Sequence, residues 1–259
     1  MFRVVIPARF GSVRLPGKPL LPLAGKPMIQ WVYERARRSS AQQVIVATDD
    51  ERIAAVVREL GGEVALTAAS HASGSDRIAE VARREAWSDA DIVVNLQGDE
   101  PLMPAALIDQ VAALFIEHAS AELTTLCVPL ESVAALLDPN VVKVVADRCQ
   151  RALYFSRAPI PWSRDGAQHG LASQTSHAGA QRHVGIYGYR VAALLRLAAL
   201  PSSPLEQLER LEQLRALENG MDIRVARAAM PAGADVNTAQ DLAQVAALLQ
   251  AGYDSSRSG

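Results

Sequence analysis

Four cations lie within one loop-like stretch near the start of the chain. Residues 4–27, VVIPARFGSVRLPGKPLLPLAGKP, carry Arg9, Arg14, Lys18 and Lys26 and contain no Asp or Glu. Arginine binds phosphate oxygens through forked hydrogen bonds and lysine binds them as a point charge, so such a loop could neutralise a triphosphate. The alternative is a solvated loop whose cations pair with acids elsewhere. The loop alone does not decide between the two.

Two common phosphate-binding patterns are absent from this stretch. The dinucleotide pattern GxGxxG does not occur. The P-loop pattern GxxxxGK[ST] fails because five residues separate Gly11 from Gly17 and because Pro19 follows Lys18. Neither a Rossmann dehydrogenase nor a P-loop kinase is therefore supported.

A carboxylate follows another apolar segment. In VVNLQGDEP, residues 93–101, Gln97 and Asp99 come directly after a predicted strand. In a parallel sheet this strand end lies at the same edge as the basic loop. Mg²⁺ is commonly held by one or two carboxylates together with substrate phosphates, so Asp99 is a candidate metal ligand. The alternative is that Asp99 or Glu100 caps the helix predicted to begin near Pro104.

A second acidic stretch, ADVNTAQDL, precedes the last predicted helix. Asp235 and Asn237 could ligate a metal or make turn hydrogen bonds. Thr238, with Asp241 three residues later, predicts a capping box, and locally this capping role is favoured.

The stretch TAASHASGSDRIAE places polar groups before another predicted helix. Ser73 and Gly74 precede the helix and Arg77 lies in its first turn, where backbone N–H groups and hydroxyls could bind an anion or a base edge. The spacing alone favours an ordinary N-cap by Ser73 or Ser75.

The elements that position these residues alternate between strand and helix in the first half of the chain. Continuous apolar strands separated by amphipathic helices predict an α/β fold with a mostly parallel sheet covered on both faces. From about residue 123 the strands follow one another without a full helix between each pair, which indicates mixed pairing. Residues 204–220 predict one helix with Leu205, Leu208, Leu211 and Leu214 inward. We expect one domain over residues 1–250 and a disordered tail over 251–259.

Composition excludes several functional classes. The 259 residues carry a net charge of −2, which gives no field to gather nucleic acid or an anionic membrane. The N-terminal apolar block is too short for a signal peptide and no apolar run is long enough to span a bilayer. These features predict a cytoplasmic protein.

The ordered motifs resemble those of a known enzyme family. IPARFGSVRLPGKPL, IVATDD, HASGSDRIAE, VVNLQGDEPL, NVVKVV, ALYFSRAPIPW, RHVGIYGYR and PLEQLERLEQLR are similar to the successive signatures of the 3-deoxy-D-manno-octulosonate (Kdo) cytidylyltransferases. The resemblance implies a Rossmann-like nucleotidyltransferase fold of the GT-A type, with an inserted lobe at about residues 150–190 for sugar binding and dimerisation. It further implies a homodimer that uses Mg²⁺ to transfer CMP from CTP to Kdo, with release of pyrophosphate, for lipopolysaccharide synthesis.

The same resemblance assigns roles residue by residue. Catalytic roles fall on Arg9, Lys18 and Asp99. Nucleotide binding falls on Arg9, Ser12, Arg14, Lys18, Ser73, Gly74, Arg77 and Gln97. Sugar binding falls on Gln97, Arg157, His183, Tyr187, Glu212 and Gln213, whose types suit a carboxylate and a ring rich in hydroxyls. The metal ligands are Asp99 and, at the second ligand position, Asn237.

Asn237 departs from the family pattern. The family has the aspartate of a VDTxxD motif where this chain has VNTAQD. An amide oxygen can coordinate a hard cation but brings no charge, and Asp235 is the alternative second ligand.

Two further functions stay open at this point. One is a cytidylyltransferase for another 2-keto sugar acid, such as an 8-amino Kdo analogue or a sialic acid. The other is a non-catalytic nucleotide or sugar-acid binder in which Asn237 marks a decayed metal site.

Overall fold

A computed structural model of the protein describes residues 1–11, 15–167 and 169–252. Among these residues the strands are β1 Phe2–Ala8, β2 Pro22–Leu23, β3 Lys26–Pro27, β4 Gln43–Thr48, β5 Glu63–Leu66, β6 Ile92–Asn95, β7 Leu123–Pro129, β8 Lys143–Ala146, β9 Ala152–Ser156, β10 Gln181–Arg190 and β11 Ile223–Arg227. The α-helices are α1 Met28–Arg37, α2 Glu51–Glu59, α3 Gly74–Arg84, α4 Ala105–Glu117, α5 Val133–Leu137, α6 Val191–Ala199, α7 Pro204–Glu209, α8 Gln213–Glu218 and α9 Ala239–Gln250. Short 3₁₀ helices lie at Lys18–Leu20 and Leu171–Ser173.

The central sheet is mixed and mostly parallel in its first half. Its strand order is β11-β7-β10-β6-β1-β4-β5, with β8 paired to β10 and β9. β6, β1, β4 and β5 run parallel, whereas β10 is antiparallel to both β6 and β7. Helices pack two apolar cores against the two faces of the sheet. The predicted α/β class with a mostly parallel, mixed sheet is confirmed.

The order of the strands determines where a ligand can bind. The chain proceeds from β1 to β4 and β5 on one side, then returns to place β6 on the other side of β1. Open α/β sheets bind ligands beyond the carboxyl ends of the strands at such a reversal. The basic loop follows β1 and Asp99 follows β6, so both lie at this reversal.

The prediction of a single helix over residues 204–220 is wrong. The structure has two short helices, α7 and α8, because Arg210 adopts a left-handed conformation with φ of 54°. The Arg157 side chain donates from Nε to the Glu209 carbonyl at 2.7 Å and thereby satisfies one carbonyl at the end of α7. Leu208 is consequently 79% exposed instead of inward.

Some of the predictions concern residues that the structure does not describe or features that it does not test. Ser12, Arg14 and most of the predicted tail, residues 253–259, lie outside the described residues. The inserted lobe at residues 150–190 stays a prediction; within that range β10 belongs to the middle of the main sheet. In the described part of the chain, none of the helices combines the length and the apolar composition that a bilayer crossing requires.

Candidate functional site

Two cavities open at the carboxyl edge of β1 and β6. The first, of about 300 Å³, lies between the basic loop, the start of α3 and the loop after β6; its lining residues are Pro7, Ala8, Arg9, Lys18, Pro19, His71, Ala72, Ser73, Gly74, Arg77, Gln97, Gly98, Asp99 and Asn237. The second, of about 150 Å³, lies beside β10 and α8; its lining residues are Asn95, Gln97, Leu123, Tyr187, Tyr189, Leu197, Glu212 and Gln213. Gln97 lines both cavities, so the two adjoin at its side chain.

Contacts between Phe10 and Gly17 hold the basic loop in place. Gly17 adopts φ of 67° and donates its backbone N–H to the Phe10 carbonyl at 3.1 Å. The Phe10 ring packs against Gly17, and the Arg52 guanidinium lies 3.4 Å from the ring centroid. Lys18 directly follows Gly17 and begins a 3₁₀ helix. Arg9 is exposed and lines the first cavity. Of the predicted cations, the described residues thus bring Arg9 and Lys18 to one cavity.

Lys18 links the two predicted metal ligands. Its Nζ lies 2.6 Å from Asp99 Oδ2 and 3.4 Å from Asn237 Oδ1. The backbone supports this arrangement, since the Val236 N–H donates to the Asp99 carbonyl at 2.9 Å. Gly98 permits the close approach of the β6 loop to β1, because a Cβ there would lie 3.0 Å from the Pro7 carbonyl oxygen. Asp99 and Asn237 therefore direct oxygen atoms toward one common cation.

This donor set fits a hard cation that also takes ligands from a substrate. No cluster of three or more His, Cys, Asp or Glu side chains suited to a metal occurs in the described part of the chain. One carboxylate and one amide oxygen do converge here, and Mg²⁺ is commonly held by one or two carboxylates plus substrate phosphates and water. Asp99 and Asn237 could hold Mg²⁺ in that way.

The start of α3 is a regular helix cap that borders the first cavity. Ser73 Oγ accepts from the Asp76 N–H at 3.1 Å, and the Asp76 carboxylate accepts from the Ser73 N–H at 3.2 Å, which completes a capping box. The ordinary N-cap favoured by the spacing is confirmed. Arg77 is 3% exposed and pairs with Asp49 at 3.2 Å, so its charge is already balanced within the protein.

His71 lines the first cavity and was not predicted. Its Nε2 lies 2.5 Å from Glu80 Oε2, and the same oxygen accepts from the Ala68 N–H at 2.9 Å. Burial acts to raise the pKa of Glu80, but the hydrogen bonds from Ala68 and His71 outweigh it and lower the pKa overall. A single histidine in a loop gives no sequence signal that it lines a cavity. Its partner Glu80 lies nine residues later and comes next to His71 only when α3 has formed.

The second cavity collects most of the predicted sugar-binding residues. Tyr187, Glu212 and Gln213 line it together with Gln97. The Tyr187 hydroxyl is buried and finds no hydrogen-bond partner among the described residues, and the same holds for Asn95 Oδ1. Buried polar atoms normally have partners, so two such atoms in one small cavity indicate a polar ligand.

Glu212 is held at the entrance to α8. It accepts a short hydrogen bond from the Ser75 hydroxyl, and Arg215 Nη2 donates to it at 2.8 Å. Burial raises the pKa of Glu212, and the contacts with Ser75 and Arg215 only partly offset this. The break between α7 and α8 places Glu212 at the N-terminus of α8.

His183 and Arg157 lie outside the lining of the second cavity. The His183 ring contacts the Tyr187 ring with centroids 5.2 Å apart, and its Nε2 lies 3.0 Å from Thr125 Oγ1. Burial, with a smaller effect of Arg182, lowers the pKa of His183 to about 3, so the ring is neutral at pH 7. Arg157 instead donates to the carbonyls of Glu209 and Pro139 at 2.7 and 2.9 Å and lines a separate, largely apolar cavity.

Glu100 is a buried acid next to Asp99. It is 9% exposed, and its Oε2 has no hydrogen-bond partner among the described residues. Burial, together with the charges of Asp99 and Asp235, raises the pKa of Glu100 well above its usual value. Helix α4 has no side-chain cap, so the capping alternative for Asp99 and Glu100 is not observed.

Comparison with known proteins assigns the chain to a family. A family model described as cytidylyltransferase matches residues 3–223. The chain belongs to the cytidylyltransferase family. Two relatives named 3-deoxy-manno-octulosonate cytidylyltransferase, from Thioalkalivibrio sulfidiphilus and Cellvibrio japonicus, are 53% and 52% identical to it over 96% and 97% of this chain and 99% of each relative.

A solved structure agrees with this assignment. A CMP:2-keto-3-deoxy-manno-octonic acid synthetase complexed with CTP has a TM-score of 0.87 and 42% identity, with 98% of this chain and 100% of that chain covered. A cytidylyltransferase from Leptospira borgpetersenii shares the fold, with a TM-score of 0.64 and 18% identity. The family resemblance stated from the motifs is confirmed.

Proposed function

We propose that the protein transfers CMP from CTP to the anomeric hydroxyl of Kdo, with release of pyrophosphate, and so supplies CMP-Kdo for lipopolysaccharide synthesis. The observation that carries the proposal is the junction of a cationic cavity with Asp99 at its edge and a polar cavity, with Gln97 in both. CTP occupies the first cavity and the sugar acid the second. Relatives of matching length that are named for this reaction support the choice of sugar acid.

The chemistry requires that two anions approach each other. The hydroxyl oxygen of the sugar acid forms a bond to the α-phosphorus of CTP, the bond from that phosphorus to the pyrophosphate oxygen breaks, and the hydroxyl proton leaves to water. Positive charge fixed in place before the reaction lowers its barrier. Arg9 and Lys18 supply this charge from the described residues, and Ser12 and Arg14 belong to the same proposed cradle.

Asp99 and Asn237 hold Mg²⁺ in this proposal. The ion, when bound, would polarise the α-phosphate and lower the pKa of the attacking hydroxyl. Ser73, Gly74, Arg77 and Gln97 form the nucleotide side of the first cavity.

The sugar acid binds beside β10 and α8. Tyr187, Glu212, Gln213 and Gln97 provide the hydrogen-bonding groups for its hydroxyls. His183 supports Tyr187 through ring contact. Arg157 keeps its predicted role toward the carboxylate only if its hydrogen bonds to Glu209 and Pro139 are exchanged for the ligand.

The function is tested by a coupled pyrophosphate assay with CTP and Mg²⁺ and a panel of sugar acids. We expect turnover with Kdo and at least about tenfold lower kcat/KM with an 8-amino Kdo analogue or a sialic acid, because loss of a matched hydrogen bond costs about that factor. Turnover of another acid without turnover of Kdo would replace the proposed substrate. CTP binding without pyrophosphate release at any Mg²⁺ concentration would establish the non-catalytic binder.

Tyr187→Phe tests the second cavity. Because the buried hydroxyl has no hydrogen-bond partner among the residues that the structure describes, we expect its removal to leave the free energy of unfolding unchanged or to raise it by about 1 kcal/mol. The KM for Kdo should rise about tenfold with the KM for CTP unchanged, because one hydrogen bond to the ligand is lost. Denaturant unfolding and steady-state kinetics measure the two quantities.

A matched control for Tyr187 is Tyr33→Phe. Tyr33 is a buried tyrosine on α1 that packs against Gly62, remote from both cavities. Its substitution should leave both KM values unchanged. An unchanged KM for Kdo in Tyr187→Phe, combined with a loss of stability, would mean that the hydroxyl has a structural role instead.

The homodimer and the cytoplasmic location stay predictions that follow from the family resemblance and the sequence. Light scattering of the full chain across a range of concentrations tests the first, with a mass of two chains as the expected result.

A further inference from the structure

The amide of Asn237 has a defined orientation. Its Nδ2 donates to Asp235 Oδ2 at 2.5 Å, and its Oδ1 lies 3.4 Å from Lys18 Nζ on the side of Asp99. The oxygen of this side chain therefore faces the predicted metal position and the nitrogen faces away from it.

The chemistry of the two partners determines this orientation. A carboxylate only accepts hydrogen bonds and an ammonium only donates them. A rotation of the amide by a half turn would place its oxygen against Asp235 and its N–H groups against Lys18, so both contacts would become repulsive. Lys18 must also serve the nucleotide, so Asp235 is the partner that can keep the amide in place throughout the reaction.

The backbone keeps Asp235 and Asn237 on the same side of the chain. Val236, between them, is fully buried among apolar residues, and its N–H donates to the Asp99 carbonyl. The segment belongs to no helix or strand, and the hydrogen bond from Asn237 Nδ2 to Asp235 Oδ2 shows that the two side chains lie on the same side. Asp235 thus reaches Asn237 while Val236 holds the segment against the Asp99 loop.

We propose that Asp235 is a positioning residue that turns the amide oxygen of Asn237 toward the metal, and that it is not itself a ligand. The inference rests on the proposed function, because it concerns the metal that this function uses. An aspartate at position 237 would present an oxygen in either orientation and would need no such partner, whereas asparagine requires one. The inference therefore explains how this chain uses asparagine where the family pattern has aspartate.

A double-mutant cycle in the full chain tests the proposal. Mn²⁺ alone, as the probe, is titrated into the wild-type protein, Asp235→Ala, Asn237→Asp and the double variant, and free Mn²⁺ is followed by electron paramagnetic resonance. Loss of a partner that orients a metal ligand costs roughly 10–100-fold in affinity. We expect about a tenfold weaker Kd for Asp235→Ala in the wild-type background and a change of less than about twofold in the Asn237→Asp background.

Two results would overturn the proposal. An equal loss in both backgrounds would make Asp235 a ligand or a general source of negative charge. No loss in the wild-type background would leave Asp235 without the proposed role. Activity assays with CTP and Kdo should follow the same pattern, with Asp235→Ala impaired and the double variant close to Asn237→Asp.

Asp138→Ala is a matched control. Asp138 Oδ1 accepts from Asn140 Nδ2 at 3.0 Å, which is the same aspartate–asparagine pair with the same spacing on another part of the surface. This substitution should leave the Kd for Mn²⁺ unchanged. If Asp138→Ala weakens Mn²⁺ binding as much as Asp235→Ala does, the weaker binding results from a general change in the protein and not from the loss of the Asn237 partner.

A readout without metal separates this inference from the proposed function. The side-chain amide protons of Asn237, observed by NMR in the metal-free protein, should shift upfield in Asp235→Ala because the hydrogen bond to a carboxylate is lost. If the wild-type protein releases pyrophosphate from CTP and Kdo equally well without a divalent metal, the proposed metal dependence fails, and this shift still decides the orientation. An unchanged amide signal would overturn the inference by itself.

Discussion

Replacing Asp99 with asparagine should lower kcat by on the order of a thousandfold, because a metal at a phosphoryl-transfer site contributes several kcal/mol and Asp99 is the carboxylate in its donor set. The substitution preserves shape but removes the charge that holds both the cation and Lys18, whose Nζ lies 2.6 Å away. Steady-state kinetics at saturating CTP and Kdo, with Mg²⁺ titrated, measures the effect. The free energy of unfolding should change by less than about 1 kcal/mol, since the ion pair is partly exposed.

Asp91→Asn is the matched control for Asp99. Asp91 directly precedes the N-terminal end of β6 and pairs with Arg3 at 2.9 Å. Its side-chain exposure is 34%, close to the 30% of Asp99. Its substitution should leave kcat unchanged. If Asp99→Asn keeps more than about a tenth of the wild-type kcat, Asp99 is not the principal metal ligand.

The strands and the placement of the first cavity could be predicted because their signals are local. The apolar runs before Pro7 and before Gln97 each identify a buried strand, and the parallel order then places the following residues at one edge. Thr238 and Asp241 form the predicted capping box at the start of α9 for the same reason, since all its atoms lie within a few residues. Local sequence patterns were therefore enough to predict which residues lie next to the first cavity.

The second cavity depends on contacts between distant residues and could not be predicted in the same way. Leucine spacing predicts a continuous helix through Glu209. Instead, the side chain of Arg157, directly after β9, donates to the Glu209 carbonyl at the end of α7, where the helix ends. This break determines where Glu212 lies. The local spacing of leucines cannot predict a hydrogen bond from a donor that lies 52 residues away in the sequence.

The charge around Lys18 follows from burial as well as from residue type. Glu100 follows Asp99 directly, but burial, together with the charges of Asp99 and Asp235, raises the pKa of Glu100 well above its usual value. Asp99 is the carboxylate that contacts Lys18 directly, so Lys18 offsets its charge in the free protein. A count of acidic residues from the sequence gives Glu100 the same charge as Asp99, although burial disfavours the charged form of Glu100.

Lys18→Met should have two effects of opposite sign. The kcat/KM for CTP should fall on the order of a hundredfold, because methionine fills a similar volume but cannot neutralise the triphosphate. Mn²⁺ binding to the nucleotide-free protein should become at least about fivefold tighter, since a cation near Asp99 and Asn237 no longer meets the ammonium group that contacts both. Kinetics and the paramagnetic resonance titration measure the two effects separately.

Lys26→Met provides the control, because it removes another lysine of the basic stretch from a site that faces neither cavity. Lys26 pairs with Glu34 at 2.8 Å and lies over the Trp31 ring, so its loss should change neither kcat/KM nor the Kd for Mn²⁺. Weaker Mn²⁺ binding in Lys18→Met would mean that Lys18 organises Asp99 and Asn237 for the metal. Tighter binding together with lower turnover would mean that Lys18 opposes the metal in the free protein and serves the triphosphate during the reaction.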